Sequence, residues 1–417
     1  MTGAKAPHVL ILGAGLGGLT LAQSLRKKGV SFEVFEKVHD QHQPQGWAVG
    51  LHTMTASMLE DFHASMPDDM PDFAEVNHLN PLKTMPEIAF YDSVDGEKLG
   101  FRDDGSGRWV RANRTRLRDW LATNINVQFN KQAARIEENE NGVTVHFKDG
   151  SKAGGDILVG AEGVQSPTWS ECVLARKYLL KGQDKLVRHK TATVSGECTL
   201  SGDLFAEQLE MGHSSFLVDF PNAQQDDGKK YHLFVGVNKV SPDGKSGEYY
   251  FSLLWTDPDV AGNDPDSFWT RTSSGEDLLA FTKRITAALP PKFRRTIDET
   301  TPEGMLTRPI TIYTLILDED ALPAGRVTLL GDAAHAMTPF RGEGGCHAMQ
   351  DALNLARALA AIEDKNDVAS IKTILGGYQK EMLKRGSEAA RLSDTQLDEP
   401  RPRGMFEQPL PSDPVVV

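Results

Sequence analysis

Residues 8–37, HVLILGAGLGGLTLAQSLRKKGVSFEVFEK, decide the fold. Residues 8–12 form a short apolar run that suits a strand buried on both faces. Residues 19–28 collect helix formers, and Gly29 is placed to stop them. Residues 30–35 return to strand character and end at Glu36. Between the first strand and the helix, Gly13-Ala14-Gly15-Leu16-Gly17-Gly18 satisfies G-x-G-x-x-G. In this pattern Gly13 permits the tight turn, Gly15 lets backbone approach a diphosphate, and Gly18 lets helix pack close to strand. The helix N-terminus adds unpaired N–H groups and the positive end of a dipole. Glu36 stands near the ~20-residue offset at which a carboxylate accepts ribose hydroxyls. An acid there disfavours a 2′-phosphate, so the site suits FAD or NAD better than NADP.

Two later stretches repeat this grammar. Residues 156–159 read as an apolar strand entering the small-residue turn Gly160-Ala161-Glu162-Gly163. In GRVTLLGDAAHAMTPFRGEGG, residues 327–330 read as a buried strand and Gly331 opens a turn. Asp332 then emerges at the carboxyl end of the strand, where open α/β sheets bind ligands. Pro339, Gly342, Gly344 and Gly345 keep side chains clear, and a helix expected over 347–362 aims its dipole at the same place.

Taken together, GAGLGG…E, DILVGAEG and GDAAHAMTPFRGEGG…DA resemble the single-component FAD-dependent monooxygenases of the p-hydroxybenzoate hydroxylase type. The charged FRGEGG form looks most like the fungal natural-product branch, which implies a role in secondary metabolism. The resemblance covers something over half the chain. It implies an α/β fold: a discontinuous Rossmann-type FAD-binding domain with a strand-rich α+β substrate domain. It places Glu36 and Lys37 by the adenosine ribose and Gly50 close to the flavin. Arg114, in RTRLRDWL, approaches the FAD phosphates in this pattern. Asp332 takes ribityl or diphosphate-side contacts, and Gly344 and Gly345 bring N–H groups to the flavin N1/O2 edge. Three positions depart from the family. Glu162 stands where Asp is usual, Thr168 and Trp169 occupy a region that often holds an Arg, and Cys346 replaces a common Asn.

The implied chemistry uses NAD(P)H as a transient co-substrate and O2, with oxygen delivered from a flavin C4a-hydroperoxide. The cofactor carries the reaction while the protein binds, orients and excludes water. No Ser-His-Asp set, metal cluster or paired carboxylates with catalytic spacing is expected or found in the sequence. His52, His213, His335, Tyr231 and Arg341 are conceivable partners of a substrate phenol, and none is assigned as catalytic. Trp47 and Trp255 are candidate pocket walls. Reactions compatible with the same fold are hydroxylation, epoxidation, Baeyer–Villiger oxidation and reduction without oxygen insertion. A flavin-binding protein without turnover is the reading from a different class.

Because the motifs are split along 417 residues, the FAD-binding domain is expected at 1–75, 107–170 and 305–395. The substrate domain is expected at 76–106 and 171–304, with a C-terminal extension at 396–417. Within it, KKYHLFVGVNKV and GEYYFSLLWTD flank Ser241-Pro242-Asp243-Gly244 and predict a hairpin. Leu278, Phe281, Ile285 and Leu289 predict a helix.

The formal charge of −13 argues against a nucleic-acid partner, which needs a basic surface. One local basic run, Arg102, Arg108, Arg111, Arg114, Arg116 and Arg118, reads as a solvated face with one or two members turned to an anion. Cys172, Cys198 and Cys346 lack metal spacing and suggest a reducing compartment. No stretch approaches the ~20 apolar residues of a membrane span. The N-terminus does not read as a signal peptide, nor the C-terminus as a peroxisomal or retention signal. Cytoplasmic localisation is the expectation.

Overall fold

The computed structural model of the chain describes residues 6–39, 46–51, 56–82, 84, 87–93, 96–101, 110–164, 174–221, 229–262, 267–308 and 310–395. His52, Arg102, Arg108, Thr168, Trp169, Cys172 and the extension from 396 lie outside the described residues.

Val9–Leu12, buried at every position, is the centre of a five-stranded sheet. The order is Val327–Leu329, Ile157–Gly160, Val9–Leu12, Phe32–Phe35, Val127–Gln128, and all four pairings are parallel. Strands covered on both faces need no polar alternation, which is why three apolar runs could be read directly. The first helix, Leu16–Lys28, starts three residues earlier than its composition predicts because Gly17 and Gly18 belong to its first turn. It ends at Gly29 in the left-handed region (φ 69°), as a glycine C-cap does. The helix after the late motif is Gly344–Ala360, so Gly344 and Gly345 lie inside its first turn rather than before it. These two helices pack against each other.

A second, six-stranded sheet runs Thr191–Ser201, Ser246–Thr256, Lys230–Val240, Ser215–Pro221, Ile88–Asp92, Lys98–Phe101. The hairpin Lys230–Val240 and Ser246–Thr256 lies where predicted, and its turn closes through Gly244 N–H donating to the Ser241 carbonyl at 2.9 Å. Helix Gly275–Thr286 buries Leu278 and Ile285, leaves Phe281 half-buried and ends before Leu289, which is buried just beyond it. One face of this sheet, with Val194, Phe216, Leu233, Phe251 and Trp255, forms an apolar core with Phe293 and Leu278 of the covering helices.

Two hydrophobic cores therefore organise the described residues. The first draws on residues 9–66, 76, 112–180 and 315–383, the second on 79–91 and 192–305. Helix Leu174–Leu179 falls in a segment that the sequence reading gave to the substrate domain. It packs instead on the first core through Ala175 and Leu179, so the chain changes core after Leu180. The physical reason is local. Gly160 leaves room for Ala175, whose methyl lies 2.4 Å from where a Cβ on Gly160 would stand.

Candidate functional site

The glycine turn is built from two kinds of contact. Gly13 has φ +109°, and a Cβ there would lie 2.3 Å from the Ala161 carbonyl oxygen. A Cβ on Gly18 would lie 2.1 Å from the Gly13 carbonyl oxygen. Gly15 is different: its backbone is extended, and a Cβ would meet nothing within 4 Å. Gly13 and Gly18 are thus demanded by protein packing, while Gly15 faces open space at the helix N-terminus. That is the cradle a diphosphate requires.

Glu36 ends the second strand and curls back over the turn. Its Oε2 accepts the Ala14 N–H at 2.8 Å and its Oε1 the Val38 N–H at 3.2 Å. Lys37 lies beside it. Burial lowers the Lys37 pKa, opposed by Glu36 and Glu162. Glu162 accepts the Ala175 N–H at 3.2 Å, and burial pushes its carboxyl up against the pull of that bond and of Lys37. The longer acid is accommodated by this helix start.

Gly50 belongs to the short strand Ala48–Gly50, paired antiparallel with Arg111–Asn113 so that Gly50 stands opposite Arg111. Gly345 abuts it: a Cβ there would be 2.9 Å from Val49 Cγ2 and 3.8 Å from Leu16 Cδ1. The two helix N-termini, at Leu16 and Gly344, thus converge on one strip of backbone. Cys346 completes the joint, buried at 1% exposure, with its thiol donating to the Gly50 carbonyl at 3.3 Å. A small weak donor serves here.

Asp332 opens the short helix Asp332–His335, with its Oδ1 3.8 Å from the Cβ position of Gly344. Burial raises its carboxyl, opposed by the charges of Arg114 and His335. Arg114 follows Asn113, the cap of helix Arg114–Leu121, and its N–H donates to the Trp47 carbonyl at 2.8 Å. Asp332 thus lies within charge range of Arg114 and beside Gly344, while Gly345 packs on the Ala48–Gly50 strand.

Other readings change. Among the described residues the basic run is not a solvated face: Arg111 and Arg118 are buried, Arg116 reaches the Asn77 carbonyl at 2.8 Å, and Arg114 is exposed. Arg341 and Glu343 form a bidentate pair at 2.9 and 2.8 Å. Tyr231 and Trp255 lie in the apolar core of the six-stranded sheet, because alternate residues of those strands face inward. His335 is fully buried against Asp351 at 2.6 Å, and His213 stands 3.8 Å from Glu87 on a loop. Trp47 lies beside the six-stranded sheet. It stacks on Tyr250 with ring centroids 4.2 Å apart at 8°. Arg111, read only within the basic run, donates to the hydroxyl of Tyr250, which the sequence reading did not single out, at 2.6 Å. The available signal was the alternation within GEYYFSLLWT, which turns Tyr249 inward and Tyr250 outward. Among the described residues no group of three or more His, Cys, Asp or Glu is placed to hold a metal ion.

A family model described as an FAD binding domain matches residues 7–274 and 296–393. The chain is 42% identical over 399 residues to the FAD-dependent monooxygenase thnD of Trichoderma harzianum, covering 94% of this chain and 93% of that protein. It is 30% identical over 376 residues to the FAD-dependent urate hydroxylase of Klebsiella pneumoniae, covering 87% and 83%. The solved structure of Klebsiella pneumoniae HpxO complexed with FAD and uric acid shares the fold, with a TM-score of 0.69 at 24% identity over 94% of this chain and 88% of that one.

Proposed function

The chain belongs to the FAD binding domain family and is an FAD-dependent monooxygenase, and from that premise we propose how its residues serve the reaction. The observation that carries the reading is the convergence of two glycine-lined helix N-termini on the Ala48–Gly50 strand, beside Asp332 and Arg114. Glu36 receives the adenosine ribose with Lys37 beside it, and Gly13, Gly15 and Gly18 shape the diphosphate turn. Arg114 neutralises phosphate charge, and Asp332 accepts ribityl hydroxyls. The first-turn N–H groups of Gly344 and Gly345, with the dipole behind them, face the flavin edge near Gly50, where negative charge gathers on reduction.

FAD supplies the redox chemistry when bound. The balanced reaction is substrate–H + NAD(P)H + H⁺ + O2 giving substrate–OH, NAD(P)⁺ and water. NAD(P)H acts as a transient co-substrate. The substrate is an aromatic or other apolar small molecule, in keeping with a role in secondary metabolism. It lies against the face of the six-stranded sheet turned away from the apolar core. That face meets the FAD-binding core through Asn113, whose Nδ2 donates to the Asn238 carbonyl at 3.0 Å, and through Trp47 on Tyr250. No described helix is long and apolar enough to cross a membrane, and three dispersed cysteines suit a reducing cytoplasm.

Purified protein is expected to be yellow and to bleach under anaerobic NADH or NADPH. Under ¹⁸O2 one labelled atom should appear in the product, and a product without label would leave a flavin reductase of the same fold. Asp332→Ala should retain the fold and weaken FAD binding about 10- to 100-fold, from loss of ~1.5–3 kcal/mol of charged hydrogen bonding. Equilibrium dialysis of apoprotein with FAD measures it, and an unchanged Kd would remove Asp332 from the cofactor contacts.

A further inference from the structure

Two carboxylates border the helix start at Gly344, and each is met by a cation. Asp332 Oδ1 lies 3.8 Å from the Cβ position of Gly344, and the charge of Arg114 opposes the burial that raises its carboxyl. Glu343 is the N-cap residue of helix Gly344–Ala360 itself. The turn before it supplies the second cation. Pro339–Arg341 forms a single 3-10 turn, closed by the Gly342 N–H donating to the Pro339 carbonyl at 3.0 Å. Gly342 sits in the left-handed region (φ 67°), and across it Arg341 meets Glu343.

This turn is braced on both sides. Thr338 Oγ1 pairs with Ser393 Oγ at 2.7 Å, and the Ser393 hydroxyl donates to the Thr338 carbonyl at 2.8 Å. The Phe340 ring packs edge-on against His189, with centroids 5.7 Å apart. Beyond the helix start, Cys346 is tied to the Gly50 carbonyl. Arg341 is therefore presented from a fixed backbone.

Glu343 does not bond as its position favours. A carboxylate at a helix N-terminus is stabilised by the dipole and can accept the unpaired first-turn N–H groups. Glu343 is 7% exposed, yet its side chain makes no capping bond. Both of its oxygens are turned to Arg341 instead: Oε2 accepts Nε at 2.9 Å and Oε1 accepts Nη2 at 2.8 Å. A guanidinium fork occupies two oxygens at once, whereas an ammonium acts as a point charge. The His347 N–H donates to the Glu343 carbonyl at 3.0 Å, so the N–H groups of Gly344, Gly345 and Cys346 precede that bond.

We propose that Arg341 is a positioning residue: it holds the Glu343 carboxylate off the start of its own helix, so that the Gly344 and Gly345 N–H groups stay open to the electron-rich edge of FAD. The inference rests on the flavin edge lying at this helix start, and it adds what keeps that start open. Once released, the carboxylate competes for those N–H groups. It opposes reduced FAD more than oxidised FAD, because negative charge gathers at that edge on reduction.

Two properties of each variant test this: the FAD Kd of apoprotein by equilibrium dialysis, and the two-electron midpoint potential of loaded protein by dye equilibration. Arg341→Ala is expected to raise the Kd for oxidised FAD about tenfold, the scale of a charge competing at a helix N-terminus. A further tenfold loss for reduced FAD lowers the potential by about 30 mV. Adding Glu343→Gln to Arg341→Ala removes the released charge and should return both values to near wild type. Arg341→Lys keeps the charge without the fork and should shift both values the same way by less. That variant, with and without Glu343→Gln, decides the matter if Arg341→Ala does not fold. An ion pair that only braced the turn would give equal losses in every variant lacking it, with no rescue by Glu343→Gln. That pattern, or a Kd and potential unchanged in both Arg341 variants, overturns the positioning role. Wild-type protein that takes up no FAD overturns the monooxygenase reading itself, and dialysis of wild type shows that before any variant is compared.

Discussion

Gly13→Ala is expected to destroy the folded flavoprotein, whereas Gly15→Ala should leave the fold intact and remove only the cofactor. At Gly13 an added methyl faces two penalties. The backbone sits at φ +109°, where an L-residue pays ~1–2 kcal/mol, and the methyl falls 2.3 Å from a backbone oxygen of the neighbouring strand turn. Backbone cannot swing aside as a side chain can, so strands Val9–Leu12 and Ile157–Gly160 would have to separate. Adding a typical overpacking cost gives a loss of ~3 kcal/mol or more, a large part of ordinary domain stability. Gly18→Ala should behave alike, its methyl meeting the Gly13 carbonyl at 2.1 Å. At Gly15 the methyl meets nothing within 4 Å, so the melting temperature of apoprotein should match wild type. If a diphosphate lies in that space, FAD affinity should still fall by roughly tenfold or more, since a single methyl clash or lost contact is worth ~1.4 kcal/mol or more. Thermal melts of apoprotein and FAD titration of each variant separate the two effects. Normal FAD binding by Gly15→Ala would remove the diphosphate from this turn.

The same contrast explains what the sequence made legible. Glycines at 13 and 18 and the apolar runs at 8–12 and 156–159 reflect local sterics and double-sided burial, which composition records directly. The 11-residue strand Thr191–Ser201 was not legible. Its sequence TATVSGECTLS mixes small polar residues with few large apolar ones, because one face packs into the second core and the other carries Thr193, Ser195 and Glu197. There Ser195 Oγ pairs with Ser252 Oγ at 2.9 Å and Thr193 donates to the Ile310 carbonyl at 2.9 Å. Such partners are far away in the chain, and no local period announces them. Helix Val368–Thr395 was likewise unread. Gly376, Gly377 and Gly386 interrupt its composition, yet Gly386 is where His335 needs room, since a Cβ would lie 2.3 Å from the imidazole. The buried arginines were misread for a related reason: Arg111 is charged in the sequence, but its two Nη atoms meet hydroxyls on strands over 100 residues distant.

Asp351→Asn should cost ~3–5 kcal/mol, the range for breaking a buried ion pair by removing one partner. Asp351 is fully buried on helix Gly344–Ala360 and is shared by three donors. Its Oδ2 takes the Gly331 N–H at 2.7 Å and faces His335 Nε2 at 2.6 Å, and its Oδ1 takes Arg385 Nη2 at 2.7 Å. One carboxylate thus holds the turn that carries Asp332, the helix beneath it, and the long C-terminal helix. Burial works against both charges of the pair, and their mutual attraction prevails: the His335 pKa is raised and that of Asp351 lowered. Arg385 adds to the lowering of Asp351 and also meets His347 Nδ1 at 2.9 Å. Burial, Arg385 and His335 push the His347 pKa down to about 4, so it remains neutral near pH 7. The signs then fix the pH window. The raised His335 contributes stability in full below about pH 6.5 and loses it as pH climbs through its folded value. The lowered Asp351 contributes in full above about pH 3.9 and loses it as pH falls through its own. Denaturant titrations from pH 5 to 9 should show wild-type stability falling on the alkaline side, and Asp351→Asn should flatten that limb. FAD retention should weaken with it, because the Gly331 turn loses its tether. A variant as stable as wild type, with the same alkaline slope, would show that the carboxylate is a bystander to His335.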